Sequence, residues 1–570
     1  MGKEMNNLEI ADLLRAVAAS YELRDATANK FKIVAYERAA DAVEHLSSEA
    51  KDIWDEGKLE DIPGVGPSIA EHLNDIFKTG TSKHFEEIMQ GFPPLVFDLM
   101  ELPKIGPKTA FKIVQQYKAK TIGDLKGTEY YDALVKSKTQ IKRYLLPYAQ
   151  QIADEITVWM KKDKFVINID PLGSLRRKAS TVGDIDISVA TKNPEEVINH
   201  FVKYPNTKKI IEQGPHTSSI LLPGEVQVDL MVQPPDAYGS LLAHFTGSKH
   251  HNIALREYAL KKNMSISEYG VKKNSKLYTF NSEEKFYNYL GMDWIPPELR
   301  EDAGEIDAAI SRKLPELIKL SDVKADLQIH SDFDIETSHD LGESSMEEII
   351  KKADNLGYEY IAFTEHNPAK SKHSDKQVLD ILKRKKDKID QLNYSIVKNH
   401  YKCIKYVFNS LEIDLTSDGE RALSDSAMDL LDFALVSIHS NFDLSTEVMT
   451  KRVLTGLNHP KAKIFAHPTA RKLNEREGVE LNWPEIFDFS VKNNKFIEIN
   501  ADPMRLDLPD YLVREAVKAG VKLTLGTDAH HADMMDNMRY GVFVGRRGWA
   551  TKSDILNAKS LEEFKGVISR

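Results

Sequence analysis

The chain has 570 residues, enough for about three to five domains of ordinary size. With 41% hydrophobic and 29% charged residues, and no run of about 18 apolar ones, it reads as globular protein and excludes a helical membrane protein or a long disordered tract. A single cysteine, Cys403, excludes an intramolecular disulfide and a thiolate metal site; "MGKEMNNLEI" lacks the apolar core of a signal peptide, so a reducing, cytoplasmic setting is expected.

The net charge of −10 argues against a cation-coated nucleic-acid binder, but residues 101–180 hold 16 Lys+Arg against 8 Asp+Glu, a local reversal to +8. In chain order, residues 8–57 space their apolar side chains by three and four, which predicts amphipathic helices. Two turns then repeat one pattern, "IPGVGPSIAEHL" (Ile62–Leu73) and "LPKIGPKTAFKIV" (Leu102–Val114). In each, glycine permits a tight turn and proline suits a first helical turn. That leaves unpaired N–H groups at a positive helix end, where a phosphate oxygen can sit. A lone turn of this kind is as well explained by packing; two copies favour phosphate contact. The pair resembles the helix-hairpin-helix motif, which implies sequence-independent grip on the DNA backbone through Gly64, Gly66, Gly106 and Lys108, and a monovalent cation at the turns.

"KFVINIDPLGSLRRKASTVGDIDISVA" reads as strand, Gly-Ser turn, short basic helix and strand. Side chains at i and i+2 of a strand share a face, so Asp184 and Asp186 point the same way and repel unless a cation lies between them. Asp229, between Val228 and Leu230 in "GEVQVDLMVQPP", is an odd choice for a purely structural strand position. Three aspartates with a Gly-Ser-Arg loop suit two-metal phosphoryl transfer; the competing reading is edge-strand aspartates facing water.

These residues resemble family X DNA polymerases, with "AHFTGSKHHNIALREYAL" like the thumb and "YLGMDWIPPELRE" like the close of the polymerase core. The resemblance covers about residues 1–315. It implies a helical DNA-binding domain at 1–85, helical fingers at 86–150, a nucleotidyltransferase palm of mixed sheet and helices at 151–235, a small α+β thumb at 236–315 and a linker at 316–324. Asp184, Asp186 and Asp229 would be the catalytic ligands of Mg²⁺ or Mn²⁺. Ser174, Arg177 and Gly183 would bind the incoming deoxynucleoside triphosphate, and His244, Phe245, Gly247, Asn252 and Arg256 would line the nascent base pair. Lys32 and Tyr36 are expected at a 5′-phosphate. The chain departs from the family at Lys178 (usually glycine), Met231 (commonly arginine) and His244 (a tyrosine that excludes ribonucleotides, so altered sugar selectivity is expected). His72 stands where some members carry a Schiff-base lysine and Ser68 replaces a nearby lysine, so 5′-deoxyribose phosphate lyase activity is expected to be absent.

Beyond residue 325 short apolar runs alternate with helical patterns, and each run ends in ionisable residues, as in "ADLQIHS", "YIAFTEH", "FALVSIHS", "AKIFAHP" and "VKLTLGTDAH". That is the layout of a (β/α) barrel with its chemistry at strand C-terminal ends. His330, His366, Glu412, His439, His467, Asp528 and His530 are the candidate ligands of a multinuclear Mn²⁺ or Zn²⁺ site. Residues 325–570 resemble the PHP domain, a distorted (β/α) barrel that bacterial family X polymerases often carry, which implies Mn²⁺-dependent 3′→5′ exonuclease activity, with abasic-site or 3′-phosphate processing as an accompanying expectation. The family pattern is incomplete: Gln328 replaces one ligand of the opening His-x-His, Glu365 an aspartate, and "SDFDIETSHDLG" offers Asp334, His339 or Asp340 for a missing Ser-Asp-Gly.

The leading expectation is a monomeric gap-filling repair polymerase with a nuclease domain, acting on gapped or primed DNA with no membrane partner. Two others stand beside it: a PHP nuclease with an impaired polymerase half, and a non-catalytic DNA-end-binding scaffold.

Overall fold

A computed structural model of the chain describes residues 5, 7–44, 50–55, 57–62, 64–100, 102, 105–131, 134 and 143–569. Pro63, Pro103 and Lys104 of the two glycine-turn motifs lie outside the described residues. The fold divides into two compact units, one of Met1–Leu175, Thr181–Phe245 and Ile266–Glu283, the other of Arg176–Ser180, Thr246–Ser265 and Glu284–Arg570.

The first unit opens with the helices Asn7–Asp25 and Lys30–Glu44 packed as a hairpin, whose apolar faces share a core with Ile69, Leu73 and Ile76 of helix Pro67–Thr79 and Phe85 of the next helix. The two glycine-turn motifs enter their helices in the same way. Gly66 caps Pro67–Thr79 at φ −78°, ψ 172°, and Gly106 caps Pro107–Tyr117 at φ −83°, ψ 174°, each with proline in the first turn and no side-chain cap. Gly64 sits at φ +80°, with a Cβ there 3.2 Å from the Arg38 backbone, so conformation and close approach both call for glycine.

A five-stranded mixed sheet follows, ordered Asn168–Pro171, Ile185–Ala190, Val226–Gln233, Thr217–Leu222, Lys209–Gln213. Ile185–Ala190 and Val226–Gln233 run parallel at its centre, and their alternating burial keeps Val228, Leu230, Ile187 and Val189 inside. Met231 packs against the apolar cluster of Leu172, Ala190, Tyr238, Leu241 and Leu242, an apolar role that an arginine would not fill.

The second unit contains helix Lys249–Leu260 and a closed parallel barrel. Its strands are Ala325–Ile329, Tyr360–Phe363, Tyr406–Asn409 with Glu412–Asp414 as one strand broken at Ser410–Leu411, Ala434–Ser437, Ala462–Phe465, Phe496–Asn500 and Leu523–Gly526. Most of these strands are buried on both faces, which is why they read as continuous apolar runs. A bridge from His366 to Glu412 spans the break. The bridge Ile329–Ala529 and the Asp326 carboxylate, which accepts the Thr527 N–H at 3.0 Å, join first strand to last. Phe408, Phe433 and Phe564 close one end of the barrel, the last from helix Leu561–Ile568. No helix among the described residues is long and apolar enough to cross a membrane.

Candidate active sites

The parallel register at the centre of the mixed sheet sets Asp186 directly opposite Asp229, with Asp184 two residues before Asp186. Burial, then the charges of Asp184 and Asp229, push the Asp186 carboxyl up to about 7. Three mutually repelling carboxylates, Asp186 and Asp229 on adjacent strands and Asp184 in the bend just before the first, are unfavourable alone and suit hard divalent cations. The Gln227 amide donates to both oxygens of Asp229, at 3.0 and 3.1 Å. Gly173, at φ +55°, starts the Gly-Ser turn, and a Cβ there would lie 3.0 Å from an Asp186 oxygen; Ser174 is in the short helix Gly173–Arg176. Gly183 precedes Asp184, and His244 meets the Phe245 ring edge-on with centroids 4.9 Å apart on helix Tyr238–Thr246.

Within the second unit, Arg177 Nε pairs with Glu301 at 2.9 Å and Nη1 donates to the Thr246 carbonyl at 2.5 Å, next to Gly247. Arg547 donates to the Arg177 carbonyl (2.7 Å) and Glu301 (3.0 Å) and pairs with Asp510 (2.6 Å), so this loop is held by long-range partners. Lys178 occupies φ +56°, a left-handed conformation that explains glycine in the family and costs a side chain about 1–2 kcal/mol; its Nζ lies 5.1 Å from the Phe543 ring centroid. Asn252 and Arg256 stand one turn apart on helix Lys249–Leu260.

In the N-terminal helices, Lys32 Nζ sits 4.9 Å from the Tyr21 ring centroid. Tyr36 corrects the sequence expectation: at 4% exposure it is a core residue, stacked on Tyr21 and edge-on to Phe85, where the apolar periodicity of its helix placed it all along. His72 and His84 stack with centroids 4.3 Å apart, and burial, then His84, lowers the His72 pKa. Lys108 lies 3.8 Å from Glu22.

The barrel brings together every candidate ligand the sequence nominated there. His330, His366, His439, His467, Asp528 and His530 follow C-terminal strand ends, and Glu412 begins its own short strand. Four triads have ligand atoms mutually within 4.8 Å: His330/His366/His530, His339/His366/His439, Glu412/His439/His467 and His330/Glu412/Asp528. Glu412 Oε1 lies 2.7 Å from His467 Nε2 and 3.0 Å from His439 Nε2. His467 and Asp528 hold φ of +27° and +54°, strained backbone for non-glycine residues and typical of functional positions.

Of the three candidates for the missing Ser-Asp-Gly motif, His339 lies in one of these triads, its Nε2 2.7 Å from Asp414; the other oxygen of Asp414 takes His439 Nδ1 at 2.6 Å. Sequence reading missed Asp414. Its signal was available, since Glu412-x-Asp414 repeats the i, i+2 carboxylate spacing of Asp184-x-Asp186.

Electrostatics fit a cation. Burial depresses the imidazoles, yet Asp528 and Glu412 carry His330 up to about 10, and Glu412 with Asp414 carries His439 to about 9. Burial holds His366 well below its usual value. Nδ1 of buried His330, Nδ1 of His366 and Nδ1 of His467 have no hydrogen-bond partner, while His330 Nε2 lies 3.1 Å from Asp528 and 3.3 Å from Glu412. Buried imidazole lone pairs beside carboxylates are the donor set of Mn²⁺ or Zn²⁺. Glu365 is turned elsewhere: it accepts the Ser331 hydroxyl at 2.6 Å and pairs at 2.7 Å with Lys385, both side chains buried. Lys385→Met is expected to destabilise the protein by about 3–5 kcal/mol by stranding that carboxylate, read as a lower denaturant midpoint; adding Glu365→Gln should recover most of the loss.

Comparison with known proteins matches residues 241–301 to the DNA polymerase beta thumb and residues 5–82 to a helix-hairpin-helix domain. The chain is 31% identical to the DNA polymerase/3′-5′ exonuclease PolX of Bacillus subtilis over 99% of its own length and 100% of the relative's. It is 25% identical to DNA polymerase lambda of Rattus norvegicus over 45% of this chain and 48% of that one, and 23% identical to the Arabidopsis thaliana enzyme over 43% and 53%.

Proposed function

The chain belongs to the bacterial family X DNA polymerases, and from that premise we propose that it fills short gaps in DNA by templated nucleotidyl transfer and trims 3′ ends hydrolytically in its C-terminal barrel. The observation that carries the first activity is the pairing of Asp186 with Asp229 beside Asp184, which pushes the Asp186 carboxyl up to about 7. On this reading the domains are those expected from the sequence, with the palm at 151–235 and the phosphoesterase barrel at 325–570.

Asp184 and Asp186 would hold two Mg²⁺ or Mn²⁺ ions and Asp229 one. His330, His366, Glu412, His439, His467, Asp528 and His530, joined by His339, would hold Mn²⁺ or Zn²⁺ in the barrel. In both places the cation supplies Lewis acidity, easing ionisation of an attacking hydroxyl or water and taking up phosphoryl charge. Asp229, oriented by the Gln227 amide, faces the primer 3′-hydroxyl, whose oxygen attacks the α-phosphorus as pyrophosphate leaves. Ser174, Gly183 and Arg177 receive the triphosphate. Because Glu301 already pairs with Arg177, the nucleotide has to draw that guanidinium from a carboxylate. Phe245, His244, Asn252 and Arg256 line the base pair, and the N–H groups behind Gly64, Gly66 and Gly106 hold DNA phosphates with Lys108.

Primer extension on a one-nucleotide gap, with digestion of the same labelled strand, tests this reading. Loss of extension alone in Asp229→Ala and of digestion alone in His439→Ala supports it. Wild-type protein that binds the gap yet neither extends nor digests would make it a scaffold.

Lyase chemistry is predicted to be absent. By resemblance His72, stacked on His84, stands at the position of the Schiff-base lysine and Ser68 at that of the nearby one, and imidazole forms no stable imine. Borohydride reduction on an incised abasic site is expected to trap no covalent adduct; a trapped adduct contradicts this.

A further inference from the structure

We infer that the barrel centre binds two divalent cations rather than three, because the side-chain amides of Gln328 and Asn500 fill the position framed by His330, Glu412 and Asp528. The inference rests on reading the barrel as a metal-dependent site, and it concerns which of its triads load.

Gln328 is fully buried in the first barrel strand, with its side chain among the ligands. Its Nε2 donates to Glu412 Oε2 at 2.9 Å, and its Oε1 accepts from Asn500 Nδ2 at 3.1 Å. The same Asn500 amide lies 3.2 Å from Asp528 Oδ2 and 3.2 Å from Glu498. Arg505 Nε adds a positive charge 3.5 Å from Asp528 Oδ2. One oxygen of each carboxylate in this triad is therefore committed to N–H donors, so that beside His330 Nε2 and Asp528 Oδ1 the position meets amide protons and a guanidinium where a cation needs further lone pairs. The amide orientation is the only consistent one: reversing Gln328 sets its carbonyl oxygen against Glu412 and turns its NH₂ toward the Asn500 NH₂.

The other oxygen of Glu412, Oε1, is free of amides and faces His439 and His467. His366 and His530 form a second group with His330, whose ring stacks on both at 4.6 and 4.3 Å between centroids. These two groups use imidazole and carboxylate donors alone, as does His339/His366/His439, which shares His366 with one and His439 with the other and adds no separate position. The group of His330, Glu412 and Asp528 is the one in which a carboxamide, a poor ligand for Mn²⁺ or Zn²⁺ beside imidazole, stands at a strand position aimed into the cluster.

The test counts metal. Full-length protein carrying Asp184→Ala and Asp186→Ala, to silence the palm, is loaded with Mn²⁺, desalted and analysed by inductively coupled plasma mass spectrometry, with anomalous diffraction locating the ions. Two per chain are expected with Gln328 and with Gln328→Ala, and three with Gln328→His, which restores a ring nitrogen. Three ions in the protein that keeps Gln328 overturn the inference, as does a count of two in a Gln328→His protein with an unchanged melting temperature. Should Gln328→His not fold, a fall from three to two in Gln328→Ala overturns it and an unchanged two upholds it. Retention of no ion at all overturns the reading of the barrel as a metal site, an outcome distinct from a third ion.

Discussion

Asp229→Ala is expected to reduce gap filling by at least about a thousandfold while 3′-end digestion stays within about twofold. The size follows from what the carboxylate does on the proposed reading. It holds one cation beside the primer hydroxyl, and losing several kcal/mol of transition-state charge stabilisation at tenfold per 1.36 kcal/mol gives that factor. Asp229→Asn sharpens the result. The amide keeps the shape and a hydrogen bond to Gln227 but removes the charge, so extension should fall nearly as far if charge is what matters. Removing Asp229 also relieves one of the two charges that raise Asp186, so the metal-free variant should be no less stable than the wild type, and unfolding does not account for its inactivity. Single-turnover extension with saturating nucleotide, beside digestion of the same strand, reads both numbers; extension that survives in both variants places the polymerase reaction elsewhere.

How much of this was legible in the sequence depended on how local the cause was. The glycine-turn helices were readable because glycine and proline act within a single turn, and Gly66 and Gly106 adopt nearly the same dihedrals. Asp186 and Asp229 stood out as carboxylates within apolar strands, although only the register shows that they sit opposite each other, and Asp184 falls in the bend before the strand rather than on its face. The candidate ligands of the barrel stood out because strands buried on both faces leave ionisable residues conspicuous at their ends.

What the sequence hid was long-range pairing. Nothing local marks Glu301 as the partner of Arg177, 124 positions away, or Arg547 as the residue that holds both. Glu365 has the position of a ligand in its motif, yet Lys385 draws it into a buried ion pair. Tyr36 was placed at a phosphate by resemblance, while burial puts it in the core. Lys178 shows the reverse case, a departure that was visible in the sequence and whose physical meaning, a side chain at positive φ, needed the backbone.

His439→Ala is expected to abolish 3′-end digestion, by at least about a thousandfold, with extension unchanged within about twofold. Its imidazole is shared between two carboxylates: Nε2 lies 3.0 Å from Glu412 and Nδ1 2.6 Å from Asp414. Truncation removes a ligand and leaves both acids in a buried cluster without one of their counter-groups. Asp414→Asn separates ligation from orientation. Asp414 takes His439 and His339 on its two oxygens, so it fixes both rings, and its loss should cost about 10–100-fold in metal affinity or digestion without eliminating the site. A graded series, with wild type above Asp414→Asn and that above His439→Ala, follows if Asp414 positions the rings and His439 holds a cation. Equal loss in both variants would instead make Asp414 a ligand, and undiminished digestion in His439→Ala would remove the barrel cluster from the nuclease reaction.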